Sequence, residues 1–427
     1  MTTYRINPSS LRGQLIIPPS KSHTIRAILF GMMGKGKTVI HNYLPSPDAT
    51  AMIEAVRAFG ASVTTSKKSL EIQGVDGKIK PAEDVIHAGN SGQIFRFIGA
   101  LASLNDSYTI LTGDYSIRHQ RPIRPLLEAL QKLGAMAESA RQDGYAPIII
   151  KGPIKPGKTS LFGEDSQPVS GILIATSFLD GPSEIEVANP GEKPWIDLTL
   201  NWFDRLGIKY ENDRYERYRV LGKTSYDGFE MTVPGDFSSA AFPIAAALAT
   251  DSELLLHNIK MDDVQGDKKL IETLMKMGAK IDLDHSKKTL RVKKGSTLQG
   301  MKIDINDFID SIGILAVIGC FAEGTTEIIN AAVARKKESD RIHAITTELK
   351  KMGASIEEKE EGLIVRNSLL HGAHLKSHRD HRIAMALSVA ALNARGTTVI
   401  EDMDCVTKSY PDFLHDFQTI GAAIEQL

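Results

Sequence analysis

Lysines and arginines recur in this 427-residue chain beside Gly, Ser and Pro, where apolar segments begin. Helix N-termini offer unused N–H groups and a positive dipole end, so cations placed there suit the binding of phosphate or carboxylate. PPSKSHTIRAI puts Lys21 and Ser22 at such a start and Arg26 a little over one turn later. A lysine is repelled by the dipole there, and that cost points to an anion; a solvated terminus with a surface arginine is the plain alternative. In GNSGQIFRF, Asn90 and Ser91 can cap a helix and Gly92 can let a ligand approach the backbone, although a capped core helix fits equally well. IRHQRPIRP carries Arg118, Arg121 and Arg124, whose guanidinium forks match carboxylate and phosphate; a solvated basic loop is the alternative. In DSQPVSG and GEKPWID, Ser166 and Gln167 can donate hydrogen bonds, but on their own Asp165, Ser166 and Glu192 read as ordinary caps.

The second half holds a matching set. NDFIDSIG places Asp310 in the first turns of an apolar helix, either as a satisfied N-terminal carboxylate or as a general base among cations. ARKKESDRI sets Lys337 and Arg341 four apart at a helix start, hence on one face, with Glu338 beside them; a charged solvated helix is the plain reading. RDHRIAM opens a further apolar helix with Asp380, His381 and Arg382, and no second histidine follows at a zinc-site spacing. TKSYPDF supplies Lys408, which alone is a surface lysine.

These segments belong to a sixfold pattern. A helical stretch ending in Gly recurs about every 70 residues, at Gly60, Gly134, Gly207, Gly278, Gly353 and Gly421. Each Gly suits a left-handed helix C-terminus. A strand-like run precedes each stretch, and an earlier, strongly apolar helix opens on the polar motifs above. The unit therefore reads strand–helix–strand–helix–strand–strand, three units to a domain. A net charge of -1 leaves no general attraction for nucleic acid or an anionic membrane. The longest apolar run, near Ile312, is too short to span a bilayer, no signal-peptide pattern opens the chain, and two cysteines suggest a reducing cytosol.

Taken together, SKSHTIR, GNSG, RP, SQ, VPGDFSSA, KESDR, DHRIAM and KSYPDF follow the order and spacing of the enolpyruvyl transferase family along nearly the whole chain. The chain most resembles the branch that uses shikimate 3-phosphate. The resemblance implies an α/β fold of two inside-out α/β barrels, each of three βαβαββ units. Residues 20–233 would form one domain, and 1–19 with 234–427 the other, with the active site in the cleft between them. It implies transfer of the enolpyruvyl group of phosphoenolpyruvate to the 5-hydroxyl of shikimate 3-phosphate by a cytoplasmic monomer needing no metal or cofactor. Lys21, Ser22, Arg26, Ser166, Gln167, Asp310 and Lys337 would hold shikimate 3-phosphate. Lys21, Asn90, Gly92, Arg121, Gln167, Arg341, Arg382 and Lys408 would hold phosphoenolpyruvate. Asp310 would be the base for the attacking hydroxyl, and Glu338 would handle the methylene proton, with Lys21 the third catalytic group.

Some positions depart from the family's commoner pattern. Asp165 and Glu192 stand where serines are usual, Trp195 where Tyr is, Val333 where Asn is and Gln93 where Thr is. Two carboxylates near the acceptor's phosphate would repel it unless paired or turned away. Transfer to a UDP-sugar is the nearest rival, but that branch carries a Cys in the loop corresponding to Thr112–Pro122, and here there is none. A non-catalytic ligand-binding relative is the other, though Asp310, Glu338 and Lys21 are all present.

Overall fold

The computed structural model describes residues 2–427. Its chain divides into two compact units, one of Lys21–Val233 and one of Met1–Ser20 with Pro234–Leu427.

The described residues form six four-stranded sheets, all built to one plan. The first two strands of each repeat pair in parallel across a helix, and the last two form an antiparallel hairpin whose second strand returns to the middle. Lys158–Phe162 thus pairs in parallel with Ser183–Ala188, which pairs antiparallel with Arg217–Val220, and Tyr210–Asp213 takes the edge. The sixfold βαβαββ reading is met. Three repeats are completed by strands from far away in sequence, one of them by Arg12–Ile16, which lies parallel to Glu253–His257. Glu230–Thr232 supplies the parallel edge beside Lys37–His41, and the N-terminal Tyr4–Asn7 sits between Thr398–Glu401 and Ala423–Gln426.

Each unit puts its apolar helices inside and its sheets outside. Strands alternate buried and exposed residues, as in Ser183–Ala188, so each sheet turns one face to the core. The inner helices are covered on all sides: every residue of His381–Leu392 is buried, as is all of Lys21–Met33 except Lys21. In the unit containing the C-terminus, Phe237–Ala249, Ile312–Phe321 and His381–Leu392 pack on one another. In the other, Gly92–Ala102 packs on Ser166–Ser177, and Lys21–Met33 meets Lys193–Leu206 through Phe30 stacked 5.5 Å from Trp202. Helices this apolar carry their charged groups within the first two turns, which is where the functional motifs lie. The six repeat glycines all adopt positive φ, between +71° and +107°, and turn the chain from the outer helix into the hairpin.

Two local expectations are corrected. Asp310 lies in a 3₁₀ stretch, Asn306–Ser311, that Phe308 interrupts with φ -141° and ψ 51°; the α-helix begins only at Ile312. Lys337 and Glu338 also precede their helix. Asp340 caps it by accepting from His343 N at 3.0 Å, so the helix starts at Arg341 and the four-residue face argument does not apply to Lys337. Among the described residues no helix is long and apolar enough to cross a membrane.

Candidate functional site

In the unit Lys21–Val233, the motif residues gather at the openings of three helices. Lys21 begins Lys21–Met33 and reaches Asp48, in the first turn of Pro47–Ala58, at 3.4 Å. Ser22 accepts from Gln93 Nε2 at 3.1 Å. Arg26 is buried among neutral groups: it donates to Thr199 Oγ1 at 2.9 and 3.0 Å, to the Trp195 carbonyl at 3.2 Å and to the Ser22 carbonyl at 3.3 Å. Its guanidinium also lies 5.0 Å from the centre of the Phe97 ring. Burial pushes its pKa down to about 9, which leaves it a cation at neutral pH.

Ser91 caps Gly92–Ala102. A Cβ on Gly92 would come within 2.7 Å of Arg121 Nη1, 2.8 Å of Arg96 Nη1 and 2.9 Å of Gln167 Oε1. The missing side chain is what lets these three groups meet over the helix end. Asn90 braces the arrangement by donating to Asp114 and Ser116 and accepting from Arg121 at 3.5 Å. Of the three arginines in the linker, Arg121 is buried here and Arg118 and Arg124 are exposed.

In the other unit, Arg341 is buried among three carboxylates. Nε donates to Asp380 at 2.8 Å, Nη1 to Asp310 at 2.5 Å and Nη2 to Glu338 at 2.7 Å. Arg382 Nη2 reaches the other oxygen of Asp310 at 3.3 Å, and Lys408 donates to the other oxygen of Glu338 at 2.6 Å. Burial raises the Asp310 pKa, but Arg382, Arg341 and Lys337 outweigh it and hold that carboxyl far below the usual carboxylate range. Burial likewise opposes the charge on Arg341, and Asp380, Glu338 and Asp310 more than compensate. Arg382 Nε and Nη1 are buried and make no hydrogen bond, so two strong donors remain to be satisfied.

The bend that presents Arg382 is held from behind. His378 and Arg379 both have left-handed backbones, with φ of +54° and +55°. Glu348, buried on the outer helix Arg341–Lys351, accepts from Lys376 N at 3.0 Å and bonds His378 Nε2 at 2.8 Å, and Lys351 balances its charge. Asp380 follows, caps His381–Leu392 through Arg382 N at 2.9 Å, and also takes Ser339 Oγ at 3.0 Å.

Asp267 is a further buried carboxyl, bonded to Ser238 Oγ. Burial first, and then the charge of Asp310, push it up to about 7. The folded state therefore holds this proton more tightly than the unfolded chain, so this group's contribution to stability falls as pH rises from about 4 to about 7 and levels off above. Asp267→Asn removes the titration. The variant is expected to gain on the parent by a few kcal/mol between pH 5 and 8, read as the difference in denaturation midpoints across that range. A difference that does not change with pH would show that Asp267 does not titrate there.

Comparison with known proteins places this architecture. A family model described as EPSP synthase (3-phosphoshikimate 1-carboxyvinyltransferase) matches residues 6–417. The chain belongs to the EPSP synthase family. A Chlamydia caviae protein named 3-phosphoshikimate 1-carboxyvinyltransferase is 44% identical over 100% of this chain and 95% of its own length. One of the same name from Acetivibrio thermocellus is 42% identical over 98% of each. Among solved structures, EPSP synthase from Acinetobacter baumannii superposes with a TM-score of 0.83 at 28% identity, over 100% of both chains.

At the positions where this chain departs from the family's commoner pattern, the side chains have specific partners. Asp165 caps Ser166–Ser177 through Gln167 N at 3.0 Å and pairs with Arg96 Nη2 at 3.1 Å. Glu192 is buried and accepts from both Ser166 N and Ser166 Oγ. Trp195 lends its carbonyl to Arg26, Val333 packs in the apolar core, and Gln93 bonds Ser22. Sequence reasoning passed over Asp48, Arg96, Asp267 and Glu348. Glu348 had a visible signal: it lies three and four residues beyond the buried Ile345 and Ala344, so it puts a carboxylate on the apolar stripe of its helix.

Proposed function

We propose that this member of the EPSP synthase family transfers the enolpyruvyl group of phosphoenolpyruvate to the 5-hydroxyl of shikimate 3-phosphate. The observation that carries the reading is the charge cluster in which Arg341, Arg382 and Lys408 grip Asp310 and Glu338, with two buried N–H groups of Arg382 unsatisfied.

The reaction needs both kinds of group. The acceptor oxygen loses its proton and bonds to C2 of phosphoenolpyruvate while the methylene carbon gains a proton, giving a tetrahedral ketal. The C–O bond to phosphate then breaks, and the new methyl group returns a proton to restore the vinyl. Arg341, Arg382 and Lys408, with Lys21, Asn90, Gly92, Arg121 and Gln167, would hold phosphoenolpyruvate. Lys21, Ser22, Arg26, Ser166, Gln167, Asp310 and Lys337 would hold shikimate 3-phosphate. Asp310 is the base for the hydroxyl, and Glu338 exchanges the methylene proton.

The low pKa of Asp310 suits this scheme. A carboxylate shared by two guanidinium groups is a poor base. The carboxylate and phosphate of phosphoenolpyruvate draw on the same guanidinium groups, which weakens their hold on Asp310 and raises its basicity once substrate is bound. Charge neutralisation by side chains leaves no step that calls for a metal or cofactor. On the same reading the enzyme works in the cytosol as a monomer, and the unpaired thiols of Cys320 and Cys405 fit a reducing compartment.

The test is a two-substrate assay. Phosphate should be released only when phosphoenolpyruvate and shikimate 3-phosphate are both supplied. Turnover with UDP-N-acetylglucosamine and none with shikimate 3-phosphate would replace this acceptor with a sugar nucleotide.

A further inference from the structure

Glu192 is held in a costly way. Its backbone is left-handed, with φ of +46° and ψ of +40°, and its side chain is only 2% exposed. The preceding Gly191 is pressed so closely on the chain that a Cβ there would come within 2.6 Å of the Glu164 carbonyl oxygen. The outcome is that Glu192 Oε2 sits on the opening of Ser166–Ser177, 3.1 Å from Ser166 N and 3.2 Å from Ser166 Oγ. These two donors converge on one negative oxygen at the positive end of a twelve-residue helix.

A capping role alone does not account for this. The helix already has its cap in Asp165, whose Oδ1 takes Gln167 N and whose Oδ2 is paired with Arg96. A second buried carboxylate adds desolvation and like-charge repulsion where a hydroxyl would satisfy the same amide. What Glu192 reproduces is a bound anion.

We infer that Glu192 is a resident anion in the acceptor site, seated where the acceptor's phosphate binds, and that acceptor affinity is set by competition between the two. The inference rests on the reading of Ser166 as an acceptor-binding residue. Ser166 N and Oγ cannot serve both anions fully, and two negative groups at contact distance repel. The acceptor's phosphate must therefore move Glu192 off Ser166, and Glu192 becomes the residue that sets selectivity for the acceptor.

The experiment uses the full chain as parent, Glu192→Gln, Glu192→Ser and the double variant Glu192→Ser with Ser166→Ala. Binding of inorganic phosphate and of shikimate 3-phosphate is measured by calorimetry, beside steady-state kinetics and melting temperature. Glu192→Ser should bind inorganic phosphate at least about tenfold more tightly than the parent, the effect of removing one like charge at contact distance. Glu192→Gln should gain less, because it loses the charge but still fills the seat. Adding Ser166→Ala should erase the gain, which separates this seat from the other cations of the protein. The KM for shikimate 3-phosphate should fall in parallel while that for phosphoenolpyruvate holds. Phosphate affinity unchanged or weaker in both single variants, with a lower melting temperature, would reduce Glu192 to a helix cap. Tighter phosphate binding with no shikimate 3-phosphate turnover in any variant would keep the resident anion and sink that acceptor. Parental turnover of shikimate 3-phosphate with the same KM in Glu192→Ser would do the reverse.

Discussion

Asp310→Asn is expected to lower kcat by about two to four orders of magnitude while phosphoenolpyruvate still binds within a few-fold of the parent, because general-base assistance contributes on that scale. The geometry makes this variant informative. Asparagine keeps the shape, and its one oxygen can still accept the shorter bond, from Arg341 Nη1, while the longer one from Arg382 Nη2 to the second oxygen is given up, so the 3₁₀ turn and most of the cation cluster should survive. What it loses is a negative charge and the capacity to take a proton. Removing that charge also frees the two guanidinium groups for the substrate, so binding should hold or tighten. Calorimetry with phosphoenolpyruvate and a phosphate-release assay on one preparation give both halves of the result. Unchanged turnover would take the base role away from Asp310; lost binding with retained turnover per bound substrate would make it a scaffold for the arginines.

Many of the candidate residues are legible in the sequence, for a physical reason. A helix buried on all sides keeps its charge to its first two turns, so polar motifs opening apolar runs mark Lys21, Gly92, Ser166 and Arg382. The six glycines were legible because reversing the chain there demands positive φ. Pairing was not legible. Arg96 with Asp165, Glu192 with Ser166 and Arg341 with Asp380 join residues 69, 26 and 39 positions apart, and periodicity within one element carries no information across such gaps. Asp310 and Lys337 read as helical in the sequence because their segments are apolar or charged at helical spacing. Ser311 and Asp340, the residues immediately before the two helices, in fact start them later. The two carboxylates that looked hostile to an anionic acceptor are neither exposed nor idle: one is neutralised by Arg96 and the other is held by Ser166.

Arg341→Met should be the most damaging single change in stability and should abolish useful phosphoenolpyruvate affinity. Arg341 is 1% exposed and is bonded to Asp380, Asp310 and Glu338 at once. Methionine fills similar volume but leaves three carboxylates facing one another, with Asp380 wholly buried. Breaking a buried ion pair from one side costs about 3–5 kcal/mol, most of it from the charge left behind. The sign of the pH dependence identifies this cause. In the parent, Asp310 has a depressed pKa, so its contribution is present above the unfolded value and is lost as acid protonates it. Without Arg341, Asp310 loses one of the cations that hold its pKa down, so the deficit against the parent should narrow as pH falls below about 4, where the parent loses this contribution. Arg341→Lys should fall in between, because one ammonium keeps the charge but cannot span three acceptors as a guanidinium does. Urea denaturation at several pH values reads the effect. A loss below about 1 kcal/mol, or a deficit constant with pH, would mean that Arg341 is not what holds these carboxylates together.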